Sequence, residues 1–203
     1  MTDLLHTVIG DLVGSRRVAD RAAVQRALQA ALDAVNEHLA PAQPFEPTVG
    51  DEFQGACATL SDAVLGGLLV RLTLLPVVDS RCGLGSGEVT VHDASRRPLL
   101  QDGPGWWAAR EAIVHLGGSR ASRRTWYVGP EAGPVNAFLT CRDQVVARLN
   151  DRGLRILRLA LVGRTQKEIA AEENVWPSAV SQQFQHGVGA VVEAQAMFAE
   201  GHR

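Results

Sequence analysis

The sequence has few cysteines and no long apolar segment, and each shortage excludes a class of protein. Its three cysteines, in a chain of 203 residues, are odd in number and widely spaced. They predict neither a disulfide framework nor a zinc site, and they fit a reducing compartment, so we expect a cytoplasmic protein. No apolar run approaches the roughly 18 residues that a membrane span needs, and the first eight residues lack the features of a signal peptide.

Lysine is nearly absent as well, because Lys167 is the one lysine among 20 basic residues. We interpret this as a bias of composition and not as chemistry. The 22 acidic residues leave a net charge of −2, which excludes a protein that coats nucleic acid through strong positive charge. Hydrophobic residues make up 46% of the chain, enough to bury a core, so we do not expect a disordered protein.

Hydrophobic periodicity indicates an α+β domain followed by a helical domain. In chain order it predicts a strand at 4–9, a helix at about 18–40, a hairpin at 48–55, a helix at 61–75, strands at 81–85 and 87–91, a helix at 106–116 and a strand at 125–128. From Pro134 onward every segment has a helical period. This order predicts two domains, residues 1–132 and 133–203.

Two aspartates beside glycines are candidate metal ligands. Asp11 follows the first predicted strand, and Asp51 lies at the tip of the predicted hairpin. In a ferredoxin-like βαββαβ sheet these positions are neighbours, so both carboxylates could reach one Mg²⁺ or Mn²⁺ ion. The turn beside Asp11 precedes a helix N-terminus, which predicts phosphate contacts from Gly10, Leu12, Val13, Gly14, Ser15 and Arg16. The alternative is that both aspartates are ordinary turn residues.

Four motifs in this region resemble the class III nucleotidyl cyclases. Gly-Asp-Leu-Val-Gly-Ser at 10–15 resembles their first strand and turn, and Val-Gly-Asp-Glu-Phe at 49–53 resembles their Gly-Asp hairpin and the signature of diguanylate cyclases. Residues 81–89 resemble a second cyclase hairpin, and residues 106–110 occupy the place of a catalytic helix. Across its length the chain most resembles the SatD family of bacterial proteins, which joins such a region to a helix-turn-helix tail. The resemblance implies an α+β fold with a ferredoxin-like, cyclase-type palm.

The sequence departs from the cyclase pattern at functional positions. The resemblance implies that Arg110 is catalytic and reaches a partner chain across a dimer interface, but Trp106 stands where cyclases have asparagine. Pro47 replaces the lysine that reads the purine. Because losing a positioned polar donor typically lowers a rate by about 10²–10³-fold, we expect a degenerate palm that binds a nucleotide or cyclic nucleotide. The alternatives are an active Mg²⁺- or Mn²⁺-dependent nucleotidyl cyclase or related nucleotidyltransferase, and a scaffold that binds neither metal nor nucleotide.

Two adjacent tryptophans follow a Gly-Pro-Gly turn at 103–105. We expect Trp106 to face a ligand and to stack on a nucleobase, with Arg110 one helical turn further along and directed at a phosphate. For Trp107 we favour packing in the core or at a homodimer interface, where large aromatic side chains are common.

The C-terminal sequence predicts a helix-turn-helix. Thr165 and Glu168 have the spacing of a capping box at the start of one helix, and Pro177 suits the first position of the next. The pattern resembles the recognition helices of MarR-type and sigma-factor DNA readers. That resemblance implies DNA contacts from Arg164, Thr165, Lys167, Ser178, Ser181, Gln182 and Gln185.

Charge limits how this tail can bind DNA. Residues 177–190 contain no lysine or arginine, so affinity for phosphate has to come from flanking cations or from dimerisation. The alternative is that the tail is a packing or assembly module. Together the two parts predict a homodimeric, nucleotide-responsive transcriptional regulator that binds DNA and no membrane.

Overall fold

The computed structural model describes residues 2–15, 18–75, 77–118 and 123–202. Six strands and a series of helices alternate in the first part of the described chain, and helices alone follow, which confirms the predicted α+β class. The strands are β1 (Thr2–Val13), β2 (Gln43–Pro47), β3 (Glu52–Cys57), β4 (Asp79–Asp93), β5 (Leu100–Asp102) and β6 (Thr125–Val128). The helices are α1 (Arg21–Leu39), α2 (Leu60–Leu74), α3 (Pro104–Gly118), α4 (Ala132–Val146), α5 (Asp151–Leu161), α6 (Gln166–Glu172), α7 (Pro177–Gln183) and α8 (Gly189–Gly201), with a π-type segment (Phe184–Val188) between the last two.

The strands form one mixed sheet in the order β2-β3-β1-β4-β5. These neighbours are antiparallel, whereas β6 pairs with the first half of β4 in parallel. β1 lies near the middle of the sheet, with Asp11 opposite Glu52 of β3 on one side and opposite Arg81 of β4 on the other. Two oppositely charged pairs of strand ends are therefore brought together by register.

Helices cover both faces of the sheet. On β1, Val8 and Leu12 join the main core beneath α1 and α2, whereas Leu5 and Ile9 join a second cluster against α3. This alternation follows from the two-residue period of a strand. It also places Asp11 on the face that α3 covers.

β4 is one strand of 15 residues and not the two strands predicted at 81–85 and 87–91. The sequence interpretation took the glycines of this segment as turn signals, and that is wrong. A Cβ added to Gly83, Gly85 or Gly87 would overlap the backbone of α3. These glycines allow the helix to lie directly on the sheet, which explains their spacing of two.

β1 also extends further than predicted. The expected end at Gly10, with Asp11 beyond the strand, is wrong because the strand continues to Val13. Gly10 lies inside the sheet, where a Cβ would overlap the ring of Phe53. The first helix begins at Arg21 rather than near residue 18, and the Asp20 side chain caps it by accepting from the Ala23 N–H at 2.8 Å.

The C-terminal helices pack on the far side of α2. Leu68 and Leu72 of α2 join the core of the tail, together with Ile156, Ile169 and Val180. In the other direction, Val135, Leu139 and Phe198 of the tail join the main core under the sheet. Residues 1–132 and 133–203 therefore share α2 as a common packing layer.

Two smaller expectations concern cysteines and membranes. Cys57, Cys82 and Cys141 are all unpaired, and burial raises the pKa of the Cys57 and Cys82 thiols to about 12. Within the described ranges, the structure contains no helix with the length and apolar character that crossing a membrane requires.

Candidate functional site

A cluster of paired charges lies at one end of the sheet, on the α3 face. The Arg81 guanidinium donates to both carboxylate oxygens of Asp11, at 2.6 and 2.7 Å. The two side chains are 29% and 20% exposed, so the pair is partly shielded from water. Hydrogen bonds to Asp11, assisted by the charges of Asp11 and Asp51, raise the pKa of Arg81 against the opposing effect of burial.

Asp51 is tied to the end of β1. Its backbone carbonyl accepts from the Leu12 N–H at 3.2 Å, and its carboxylate accepts from the Ser15 hydroxyl at 2.5 Å. Gly50, with φ of +76°, makes the turn that presents Asp51. The structure therefore brings Asp51 beside Asp11, and Arg81 lies within the electrostatic range of both.

Arg110 makes a second ion pair in the cluster. Its guanidinium donates to both carboxylate oxygens of Glu52, each at 3.1 Å. The sequence interpretation assigned Arg110 to a transition state shared with a partner chain. In the structure it projects from α3 onto β3 of its own chain, and half of the side chain remains exposed.

The arrangement does not fit the expected Mg²⁺ or Mn²⁺ at Asp11. Both oxygens of that carboxylate accept from a guanidinium, and a divalent cation at the same oxygens would lie against this positive charge. One oxygen of Asp51 is taken by Ser15. In the parts of the chain that the structure describes, there is no group of three or more metal-ligating side chains.

The predicted phosphate-binding segment is largely occupied by the protein itself. Gly10 belongs to the strand ladder, the Leu12 N–H is bonded to Asp51, and Ser15 is buried with its hydroxyl on the same aspartate. Gly14, with φ of +74°, turns the chain after Val13. The expected helix N-terminus is absent from this position because α1 starts later, and Arg16 lies outside the described residues.

The expected roles of the two tryptophans are reversed. Trp106 is 8% exposed and packs in the cluster between α3 and the sheet, so the expectation that it faces a ligand is wrong. Trp107 is 61% exposed, and its indole N–H donates to Asp102 at 2.7 Å. The reason is the helical period: the face of α3 that meets the sheet includes Trp106, Ala109 and Ile113, and Trp107 lies outside it.

Sequence reasoning missed the partners of the acidic residues. Arg81 was noted as part of a motif but given no function, and Glu52 was treated as part of a turn. The signal that was available is strand alternation, since Arg81 shares a strand face with Gly83 and Gly85. Using it required the register of β1 against β4, which the sequence does not state.

In the tail, α6 and α7 are joined by a four-residue turn and pack with α5. The capping box is confirmed: the Glu168 N–H is bonded to the Thr165 hydroxyl, and the Thr165 N–H to the Glu168 carboxylate. Asn174 in the turn has φ of +52°. Val180 and Gln183 of α7 are buried, and the predicted DNA-contacting side chains around them are exposed: Ser178, Ser181, Gln182 and Gln185.

The cations that flank this surface divide into free and paired groups. Arg164 and Lys167 are exposed beside the start of α6, together with Thr165. Arg155 donates to Glu173 at 2.8 Å, so part of its charge is neutralised. Trp176, which the sequence interpretation placed only in the turn, is 81% exposed.

These observations define an α+β protein with a paired-charge cluster on its sheet and a helical C-terminal part. The chain belongs to the SatD family, whose family model matches residues 5–124. The matched segment contains the whole charged cluster, and helices α4 to α8 lie outside it. No curated protein matches the chain.

Proposed function

We propose that the protein is a nucleotide-responsive, DNA-binding transcriptional regulator with a degenerate, cyclase-like palm and a helix-turn-helix tail. The observation that carries the proposal is the exposed polar face of α7, which the buried Val180 anchors against the tail core. Ser181 and Gln182 on this face are free of the packing contacts that hold the helix. Serine and glutamine are side chains that read base edges in the major groove, glutamine favouring adenine.

The charge around α7 supports binding by two copies. The helix itself has no cation, and Arg164 and Lys167 supply few phosphate contacts. Because affinity for DNA grows with the number of neutralised phosphates, one copy would bind weakly. A homodimer doubles these contacts and reads two half-sites.

The connectivity of the first part supports the palm. The order β1-α1-β2-β3-α2-β4 in the chain, with β2-β3-β1-β4 in space and antiparallel pairing, is that of a ferredoxin-like sheet. At its end, Arg81 and Arg110 are guanidinium groups of the kind that bind phosphate bidentately. A nucleotide would compete with Asp11 and Glu52 for them.

We propose binding without turnover at this site. Trp106 is buried where the resemblance requires a polar donor, and Asp11 is occupied by Arg81. Nucleotide binding would act on the tail through α2, since Leu69 packs in the main core while Leu68 and Leu72 pack in the tail core. Such coupling requires a different nucleotide affinity in the two arrangements of the chain.

The test of DNA binding is selection of genomic fragments by the full chain, followed by anisotropy titration with and without ATP, GTP, CTP or UTP. Gln182→Ala should weaken binding to the selected site by about 1–3 kcal/mol. Gln29→Ala, an exposed glutamine on α1, is the matched control and should leave it unchanged. A chain that prefers no fragment over competitor DNA would contradict the proposal.

A second assay separates the regulator from the enzyme. The chain is incubated with each labelled nucleoside triphosphate and Mg²⁺ or Mn²⁺, and products are separated by chromatography. We expect no product. A cyclic or transferred nucleotide that disappears in Asp51→Asn would instead establish a nucleotidyl cyclase or transferase.

A further inference from the structure

A second cavity lies away from the charged cluster, between α2, α5 and α8. It measures about 220 Å³. Ser61, Asp62 and Leu65 line it from α2, Leu161 from the end of α5, and Val192 and Gln195 from α8. The cavity therefore sits where the helices of the tail meet the helix that supports the sheet.

Gln195 brings an unsatisfied polar group to this cavity. The side chain is 5% exposed, and its Oε1 atom has no hydrogen-bond partner in the described part of the chain. Buried polar atoms in folded proteins are almost always hydrogen-bonded, so an unpaired acceptor that lines a cavity points to a donor that enters it.

The second polar group of the cavity is also an acceptor. Asp62 is a carboxylate whose Oδ2 accepts from the Thr59 hydroxyl at 2.7 Å. The backbone N–H groups of this first turn of α2 are engaged, because that of Ser61 donates to the His202 carbonyl and that of Asp62 to Thr59. The turn thus presents negative charge to the cavity and no spare donors for an anion.

We propose that this cavity is an effector site for a small organic cation, an ammonium group on a short apolar body. The ammonium would donate to Gln195 Oε1 and to the Asp62 carboxylate, which is a charge-assisted contact. Leu65, Leu161 and Val192 would cover the apolar body. The volume is below the 300–1,000 Å³ typical of drug-sized ligands, so a molecule of a few heavy atoms fits.

Such a ligand would stabilise the packing of α8 against α2. This makes the site a second input to the tail, distinct from the nucleotide of the proposed function and independent of it. The inference requires no DNA binding and no nucleotide.

The experiment uses the full chain and three probes of similar size: butylammonium, butyrate and 1-butanol, each titrated by ligand-observed NMR and by thermal denaturation. We expect butylammonium to bind and to raise the melting temperature. Butanol tests apolar burial alone. Butyrate tests the opposite orientation of the Gln195 amide, since its two ends are exchanged by a rotation of the group.

Two variants of nearly the same size locate the site. Gln195→Glu adds a negative charge and should tighten butylammonium binding at least fivefold, whereas Gln195→Leu should weaken it at least fivefold. Gln29→Glu, at an exposed position of α1, controls for the change in net charge and should have no effect. Melting curves without ligand verify that each variant is folded.

Three outcomes would overturn the proposal. The first is equal binding of all three probes, which would reveal a purely apolar cavity. The second is preference for butyrate. The third is a butylammonium affinity that is the same in the wild-type chain, Gln195→Glu and Gln195→Leu.

Discussion

Asp11 and Arg81 face each other across β1 and β4, and the guanidinium bonds both oxygens of the carboxylate at 2.6 and 2.7 Å. The residues are 70 positions apart in the chain. Beside them, Arg110 and Glu52 form a second pair of the same kind. The end of the sheet is therefore neutralised by the protein itself, instead of by a bound cation.

Breaking the first pair should lower stability. Asp11→Asn leaves the partly buried Arg81 charge without its partner, and we expect a loss of about 1–3 kcal/mol in the free energy of unfolding, measured by urea denaturation. Arg81→Gln and the double variant complete a cycle, which should give a coupling energy of about 0.5–3 kcal/mol. Additive effects of the two substitutions would show that the pair contributes nothing to stability.

The contact between β4 and α3 predicts a large effect of a single methyl group. Gly85→Ala would place its Cβ against the backbone of Gly105 and Ala109, which cannot move like a side chain. We expect a loss of about 3 kcal/mol or more, or no folded protein, by circular dichroism and urea denaturation. Gly133→Ala in α4, where a Cβ meets nothing within 4 Å, is the control and should be neutral or slightly stabilising. Equal stability of the two variants would contradict this packing.

The proposed DNA surface predicts a specific salt dependence. Lys167→Ala should weaken binding about equally for all sequences and reduce the slope of log affinity against log salt by about one per site contacted, because one phosphate contact is lost. Anisotropy titrations at several salt concentrations measure it. Arg26→Ala on α1, whose side chain is 72% exposed, should leave the slope unchanged. A Lys167→Ala slope equal to that of the wild-type chain would remove Lys167 from the interface.

His6 should make stability depend on pH. Its Nδ1 lies 2.6 Å from the Ser86 hydroxyl, which also accepts from the Tyr127 hydroxyl. Burial lowers the pKa of His6, Asp62 opposes this and His202 adds to it. The unfolded chain therefore takes up the proton at a higher pH, and the free energy of unfolding should fall as pH drops below about 6.5.

Urea denaturation between pH 5 and 8 measures this effect. His6→Gln should flatten the dependence, while His92→Gln, at an exposed position, should not. A His6→Gln variant whose stability falls as steeply as that of the wild-type chain would exclude His6 as the source.

Several elements could be predicted because their signals are local. The hairpin around Gly50 is confirmed, with the positive φ that its glycine permits, and so is the capping box of Thr165 and Glu168. Both depend on residues at most three positions apart. The helices of the tail are confirmed for the same reason, since their apolar period repeats within each segment.

The wrong predictions share a different cause. The glycines of β4 have the composition of a turn, yet they respond to α3, which follows some 20 residues later. Trp106 and Trp107 are adjacent and equal in type, so composition does not decide which one is buried. That depends on the rotation of α3 about its axis, which the packing against β4 sets.

By itself, the sequence determined the strands, helices, caps and turns, because these arise from propensities and hydrogen bonds between near neighbours. Only the tertiary structure decided the electrostatic character of the site. Two aspartates and two arginines are compatible with a bound metal or with ion pairs, and strand register settles the matter by placing Arg81 opposite Asp11. Charges interact through space at a few ångströms, so their partners are known only once the strands are aligned.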